Sequence, residues 1–512
     1  MYRSRALCAS LVLAFGTAGL GVSAAPPAAA LTPPVAFTAD DLPTWQTNGV
    51  VWALAQAGDT IFVGGTFSQV RPPNGETGDP QNAVNFVAMN AATGKPTSCR
   101  LSFAVGSGTA TVRALAVSPD QKTLYVGGYF GSVNGVQTSS FAAIDIASCA
   151  PRPGFHAAFP ATVRAIAATS DTLYVGGDFS TADSQPRKRF AALDATTGGV
   201  LPFRADADEP GRAVAVSEDG KYVALGGDFF YVNGHDSHAL AVVDATTGAN
   251  VQSYRLGFFS RTSVVKTIDA DADGFYTGNE GTGGGVFDGR TALDASTFDQ
   301  RWRDTCLGAT QSVLAYDSVL YSASHAHDCS TMDEFPDGRR HHLMAEPTDD
   351  PTLLGWFPDT NDGIGEGIGP RAMTIATSGT TKYLWVGGEF TTVNGSPGQG
   401  LTRFASGPDI GVPWVPDDVS VDSARADRVR ISWRSSIDTD DSVLTYKVYR
   451  DGAATPVYTV NGESFEWSRP RVTFNDTDVE RGEKHSYQVT ATDGAGNTSG
   501  KSAALTVTVP NW

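Results

Sequence analysis

Leu124-Tyr-Val-Gly-Gly-Tyr-Phe130, followed by Val133-Asn-Gly135, decides the fold because the phrase returns along the chain. Val112-Arg-Ala-Leu-Ala116 stands ahead of it. Val163-Arg-Ala-Ile-Ala167 precedes Leu173-Tyr-Val-Gly-Gly-Asp-Phe179, and Arg212-Ala-Val-Ala215 precedes Ala224-Leu-Gly-Gly-Asp-Phe229 with Val232-Asn-Gly234. Arg371-Ala-Met373 precedes Leu384-Trp-Val-Gly-Gly-Glu-Phe390 and Val393-Asn-Gly395. The first copy is Trp52-Ala-Leu-Ala55 with Ile61-Phe-Val-Gly-Gly-Thr-Phe67. Two copies have drifted: Lys266-Thr-Ile268 with Phe275-Tyr-Thr-Gly278, and Val313-Leu-Ala315 with Leu320-Tyr-Ser-Ala323.

Each copy holds short alternating apolar runs separated by turn residues, with no helical period between them, which reads as consecutive hairpins. The Gly-Gly pairs begin at 64, 127, 176, 226 and 387, so a unit averages about fifty residues. Four-stranded repeats of that length mark a β-propeller, and seven copies predict a seven-bladed ring over 34–408. Phe37-Thr-Ala-Asp40 repeats the pattern of Phe203-Arg-Ala-Asp206, whereas the last copy runs out after Leu401-Thr-Arg-Phe404. Residues near 34–40 are therefore expected to supply the outer strand of the last blade and remove an exposed sheet edge.

From about Pro413 the grammar changes. Val429-Arg-Ile-Ser-Trp433, Tyr446-Lys-Val-Tyr449-Arg-Asp-Gly452 and Tyr487-Gln-Val-Thr-Ala-Thr-Asp-Gly-Ala-Gly-Asn497 alternate apolar and polar residues over about one hundred positions, 413–510. That pattern suits a β-sandwich. The segment resembles a fibronectin type III domain, with one departure: the family's corner tyrosine position is occupied by His485. The repeat Leu-Tyr-Val-Gly-Gly-x-Phe…Val-Asn-Gly resembles the delta-60 repeat propellers of exported bacterial proteins, which implies the fold and no defined chemistry. The whole chain is thus expected to be all-β.

The chain of 512 residues carries 55 acidic against 37 basic side chains, a net charge of −18 that disfavours phosphate backbones as partners. Arg3 and Arg5, an apolar run from Ala6 to Leu20 and Val22-Ser23-Ala24 before Ala25 form a signal-peptide pattern over 1–24, cleaved near Ala24-Ala25. No later run is long enough to span a bilayer, so the expectation is a secreted, extracellular monomer without membrane insertion. Cys99, Cys149, Cys306 and Cys329 then remain, an even number that points to disulfides in an exported chain. Of three connectivities, Cys99–Cys149 and Cys306–Cys329 pair neighbours in the expected fold.

Aligning the copies gives two polar series. After the Gly-Gly position stand Thr66, Tyr129, Asp178, Asp228, Glu280, His325 and Glu389; in the first strands stand Trp52, Arg113, Arg164, Arg212, Lys266, Ser312 and Arg371. Both are expected near one face of the ring, and every copy with an acid also has a base. This reads as structural ion pairs tying adjacent strands, or as a charged funnel (Arg113, Arg164, Arg212, Lys266, Arg371, Glu389) binding a polar ligand, with the unmatched Arg113 and the divergent sixth copy the places to expect it.

The sixth copy replaces Gly-Gly-Asp-Phe with Ser324-His-Ala-His-Asp-Cys329, and four of the eight histidines lie within 325–342. His325, His327 and Asp328 are candidate metal ligands, as imidazole and carboxylate suit first-row metals; a solvated, disulfide-braced insertion is the alternative. Asp359, Asn361 and Asp362, leading to Glu366, form a candidate calcium loop. Asp269-x-Asp-x-Asp-Gly274-x5-Glu280 matches the EF-hand formula but overlays a hairpin and lacks flanking helices. Trp356 and Phe357 are candidate sugar-stacking residues, with strand core the other reading of Trp356.

The functional expectation is an extracellular binding protein that contacts a glycan or cell-surface polymer through the polar propeller face, aided by calcium. One alternative is a polysaccharide hydrolase or lyase using Asp178, Asp228 or Glu280 with His325 or His327. A second is a structural surface protein without a ligand.

Overall fold

The computed structural model describes residues 35–336 and 338–512. The signal-peptide pattern, its cleavage point and Cys8 lie outside these residues. The described chain is all-β, and its larger part is a β-propeller.

Successive antiparallel sheets, numbered one to seven in chain order, open on the strands Val50–Ala57, Thr111–Val117, Val163–Ala168, Gly211–Val216, Ser263–Asp271, Thr310–Tyr316 and Pro370–Ser378. Each opening strand packs against the next, and Pro370–Ser378 returns to Val50–Ala57. The N-terminal segment joins the outer edge of sheet seven. Thr38 N donates to Ala405 O at 2.8 Å, Leu42 N donates to Arg403 O at 3.0 Å, and Asp41 bridges Phe404.

The Gly-Gly pairs follow from this packing rather than from turns. A Cβ on Gly64 would stand 2.4 Å from Val112 Cγ1 of the next sheet, and one on Gly387 would stand 2.5 Å from Val51 Cγ1 of sheet one. A Cβ on the second glycine would strike a backbone carbonyl of the opening strand, as Gly65 would meet Val50 O at 2.2 Å. Only glycine lets backbones approach this closely. Aromatic residues two positions before the first glycine reach across to the following sheet: Tyr125 and Tyr174 hydroxyls donate to Ala195 O and Ala245 O at 2.8 Å, and Trp385 Nε1 donates to Ala91 O at 3.2 Å. The Asn-Gly pairs are the true turns. Asn134 and Gly135 have φ of 49° and 79°, the left-handed pair that a two-residue hairpin requires.

Beyond residue 413 two sheets face one another. Asp417–Arg425, Arg428–Arg434 and Arg471–Asp476 form one; Tyr458–Glu463, Val443–Arg450, Lys484–Thr492 and Leu505–Thr508 form the other. Trp433, Tyr446 and Tyr487 fill the core between them. Tyr487 donates to Asp476 Oδ2 at 2.8 Å, while His485 lies 2.8 Å from Asp451 and 3.0 Å from Glu483.

The two parts are joined by contacts as well as by the linker. Phe357 N donates to Thr439 O at 2.7 Å, and Trp467 packs on Phe335 and Phe357 with ring centroids 4.6 and 5.1 Å apart. Trp356 is 0% and Phe357 8% exposed, so neither presents a face to a sugar ring. Trp356 sits in the core between sheets six and seven, and Phe357 in the junction with the C-terminal part. The disulfides are Cys99–Cys149 and Cys306–Cys329.

Candidate functional site

The polar funnel is built by a repeated backbone irregularity. Pairing between the first two strands skips one residue in every sheet: between Val51 and Ala53, Val112 and Ala114, Val163 and Ala165, Gly211 and Ala213, Val265 and Thr267, Thr310 and Ser312, and Pro370 and Ala372. The skipped residues are Trp52, Arg113, Arg164, Arg212, Lys266, Gln311 and Arg371. A bulge of this kind bends the strand and redirects one side chain, and all seven line one mouth. The sixth member is therefore Gln311, not Ser312. The sequence alignment slipped by one because Gln311-Ser312-Val313 lacks the basic-residue-then-alanine cue of its neighbours.

The acidic series faces this ring from the second strands. Arg164 holds Asp178 through two bonds of 2.7 and 2.8 Å, and Arg212 holds Asp228 through two of 2.8 and 2.5 Å. Lys266 Nζ lies 3.0 Å from Glu280, and Arg371 Nη2 lies 2.8 Å from Glu389 and 2.7 Å from Glu366. Each acid-base match noted in the sequence is an ion pair tying the first strand to the second. Gln311 continues the chain of contacts, donating to Glu280 Oε2 at 2.8 Å and accepting from Arg371 at 3.3 Å.

Arg113 differs. Among the described residues no carboxylate stands in ion-pair reach of it, and its Nε is buried without a hydrogen-bond partner. Its guanidinium carbon lies 3.7 Å from the Trp52 ring centroid, while Arg371 lies over the same ring at 4.5 Å. Trp52 is itself fixed, its Nε1 donating to Thr66 Oγ1 at 2.9 Å. Burial, then the neighbouring Arg164, presses Arg113 down to about 10, so it remains a cation at neutral pH. Burial alone would raise Glu280, but Lys266 and Gln311 outweigh it and hold the carboxyl below its usual range. Lys266 is lowered, chiefly by burial.

The ring residues and Glu366 border a mouth of about 280 Å³. The same ring opens on a channel of about 500 Å³ along the opening strands, whose walls turn apolar at Leu54, Leu115, Ile166 and Ile268. Five cations (Arg113, Arg164, Arg212, Lys266, Arg371) and one carboxylate, Glu366, line the mouth, and four further carboxylates (Asp178, Asp228, Glu280, Glu389) pair with those cations, so the charges of the whole cluster balance although the chain is strongly acidic. Glu366 was noted in the sequence only as part of a calcium loop.

The histidines of sheet six do not converge. The His325 and His327 rings are 6.2 Å apart, and Asp328 instead accepts from Ser330 N and Oγ at 3.0 and 2.6 Å. Burial, then Arg340, drives His325 down to about 4, and its Nδ1 is buried without a partner. Asp359 and Asp362 both turn to His342, at 3.0 and 3.1 Å. Asn361 Oδ1 accepts from Thr391 N and Thr392 N at 2.7 and 3.1 Å, so it pins sheet seven. Among the described residues, these side chains form no group of three metal-ligating atoms within reach of one ion. The EF-hand formula likewise spans a paired hairpin: Asp269 accepts from Ala315 N at 2.8 Å, and Glu280 is held by Lys266.

No family model matches the chain. It is 27% identical over 163 residues to an alpha-amylase of Niallia circulans, covering 31% of this chain and 12% of that protein. It is 39% identical over 101 residues to exoglucanase B of Cellulomonas fimi, covering 20% of this chain and 8% of that protein. The chain therefore spans about a tenth of the length of these relatives. Among solved structures, the β-propeller domain of Cps50 (Swd1) from Myceliophteria thermophila aligns over 72% of this chain and all of that chain, with a TM-score of 0.43 and 11% identity. No helix among the described residues is long and apolar enough to cross a membrane.

Proposed function

We propose that the chain is a secreted binding protein in which a seven-bladed propeller, followed by a fibronectin type III-like sandwich, contacts a hydroxyl-rich glycan or cell-surface polymer. The observation that carries this reading is the ring of bulged side chains around Arg113. Paired guanidinium and carboxylate groups offer donors and acceptors side by side, which matches sugar hydroxyls that both donate and accept. The near-balance of charge suits a neutral polar ligand better than a polyanion. Arg113, without a carboxylate, is the donor left for the ligand. The carbohydrate-active relatives are consistent with this reading but match too little of their length to carry it.

A glycoside hydrolase would use a carboxyl group held protonated near neutral pH beside an ionised one. Glu280, held by Lys266 and Gln311, is shifted below its usual range, which suits an ionised contact to a ligand rather than a general acid.

The test incubates the mature protein with a panel of insoluble cell-wall and plant polysaccharides and measures retained protein together with newly released sugar ends. Retention without release, weakened by Arg113→Gln, supports the proposal. Release abolished by Glu280→Gln or His325→Ala replaces it with the enzyme reading. Neither signal leaves the structural surface protein as the better account.

A further inference from the structure

A second cluster lies far from the funnel in sequence, where the propeller meets the C-terminal sandwich. Asp409 stands in the linker, Asp441 in the loop before Val443–Arg450, and Asp493 directly after Lys484–Thr492. All three are buried, at 6, 1 and 4% exposure, and one carboxylate oxygen of each lies within 4.8 Å of the others. Two oxygens bound to one calcium at about 2.4 Å cannot be farther apart than about 4.8 Å, so the spacing allows one ion to be shared.

Each carboxylate already uses backbone donors to hold its position. Asp409 Oδ1 accepts from Gly411 N at 2.9 Å, and Asp493 Oδ1 accepts from Gly496 N and Asn497 N at 2.7 and 2.8 Å. Asp441 Oδ2 accepts from Gly494 N at 3.3 Å. The other oxygens of Asp409 and Asp493, both Oδ2, are buried with no hydrogen-bond partner, as is Oδ1 of the adjacent Asp440. Among the described residues no Lys, Arg or His forms an ion pair with Asp409 or Asp493. Orphaned carboxylate oxygens this deeply buried are costly unless a cation or proton meets them.

We propose that Asp409, Asp441 and Asp493 bind one calcium ion, which clamps the linker to two loops of the sandwich. The donors are all hard oxygens on separate loops, the flexible arrangement calcium accepts, whereas magnesium demands near-octahedral geometry and retains water. The clamp reaches the propeller through Asp440, whose Oδ2 accepts from Ala39 N at 2.7 Å in the segment that closes sheet seven. Asp40 adds a second link, its Oδ2 accepting from Ile410 N at 2.9 Å.

The experiment is equilibrium dialysis of the chelator-stripped mature chain against labelled calcium, alongside the rate of protease cleavage in the 406–416 linker. The wild type is expected to retain one ion at this site and to be cleaved more slowly with calcium than with chelator. Asp409→Asn and Asp493→Asn, tested separately, should each weaken retention by about tenfold or more and abolish the calcium effect on cleavage. Asp359→Asn should leave both unchanged. Because the chelator comparison uses the wild type, it stands even if a variant fails to fold. No retained calcium, retention unaltered in both cluster variants, or equal retention of magnesium overturns the proposal.

Discussion

Gly387→Ala tests how the ring closes. The added Cβ would stand 2.5 Å from Val51 Cγ1 and 3.1 Å from Val51 Cβ, across the contact between the last sheet and the first. Val51 is 0% exposed, and its branched side chain has few alternative rotamers, so it cannot swing aside. Ordinary carbon–carbon contact is about 3.5–4.0 Å, so the sheets must part by about 1 Å or the backbone must shift. Overpacking of this kind costs about 1–3 kcal/mol. Gly176 provides the comparison, because its nearest neighbours would be Phe190 Cε1 at 3.2 Å and Val214 Cγ1 at 3.5 Å. Chemical denaturation followed by tryptophan fluorescence should therefore show a clear drop in midpoint for Gly387→Ala and a smaller one for Gly176→Ala. Equal midpoints for the two variants would refute the close approach of the last sheet to the first.

Other expectations rest on groups away from the funnel. Arg290 is 0% exposed between Asp304 and Glu346; Arg290→Met leaves two buried carboxylates uncompensated and should cost about 3–5 kcal/mol, read by the same denaturation. Burial, opposed by the Leu353 amide, raises Glu334 from 4.5 to about 7. The folded state then holds a proton that the unfolded state releases, so this group's contribution is present below about 4.5 and is lost as pH rises towards about 7. Glu334→Gln should accordingly gain stability relative to wild type across that window, and a pH-independent difference would contradict it. Removing Cys99–Cys149, separated by 50 residues, should cost about 4 kcal/mol by loop entropy, against about 3 kcal/mol for Cys306–Cys329, separated by 23. Thermal unfolding of Cys99→Ser/Cys149→Ser and Cys306→Ser/Cys329→Ser checks the order.

Much of the propeller was legible because its close contacts force particular residue types. The Gly-Gly pair marks where one sheet meets the next, Asn-Gly marks the left-handed hairpin turn, and the basic residue before alanine marks the bulge. Where those cues lapse the reading slipped, as at Gln311. The acid-base matches could be read as pairs because both partners recur at fixed offsets within one repeat. Their net balance at the mouth could not, since Glu366 arrives from a loop outside the repeat. Trp356 and Phe357 looked accessible beside Asp359, but their burial depends on Trp467 and on the closing N-terminal segment. The Asp409, Asp441 and Asp493 cluster was invisible for the same reason: its members are 32 and 52 residues apart in sequence, and only the meeting of linker and sandwich loops unites them.

The central claim is that Arg113 anchors a ligand in the ring. Its most direct test compares wild type, Arg113→Gln and, as an exposed control, Arg430→Gln for affinity to whichever panel polysaccharide retains the protein. Glutamine keeps a donor but removes the charge and the guanidinium fork, so loss of a charge-assisted bond of about 1.5–3 kcal/mol weakens binding by about tenfold or more. The account predicts that loss for Arg113→Gln alone. Affinity unchanged in Arg113→Gln, or reduced equally in Arg430→Gln, would contradict it.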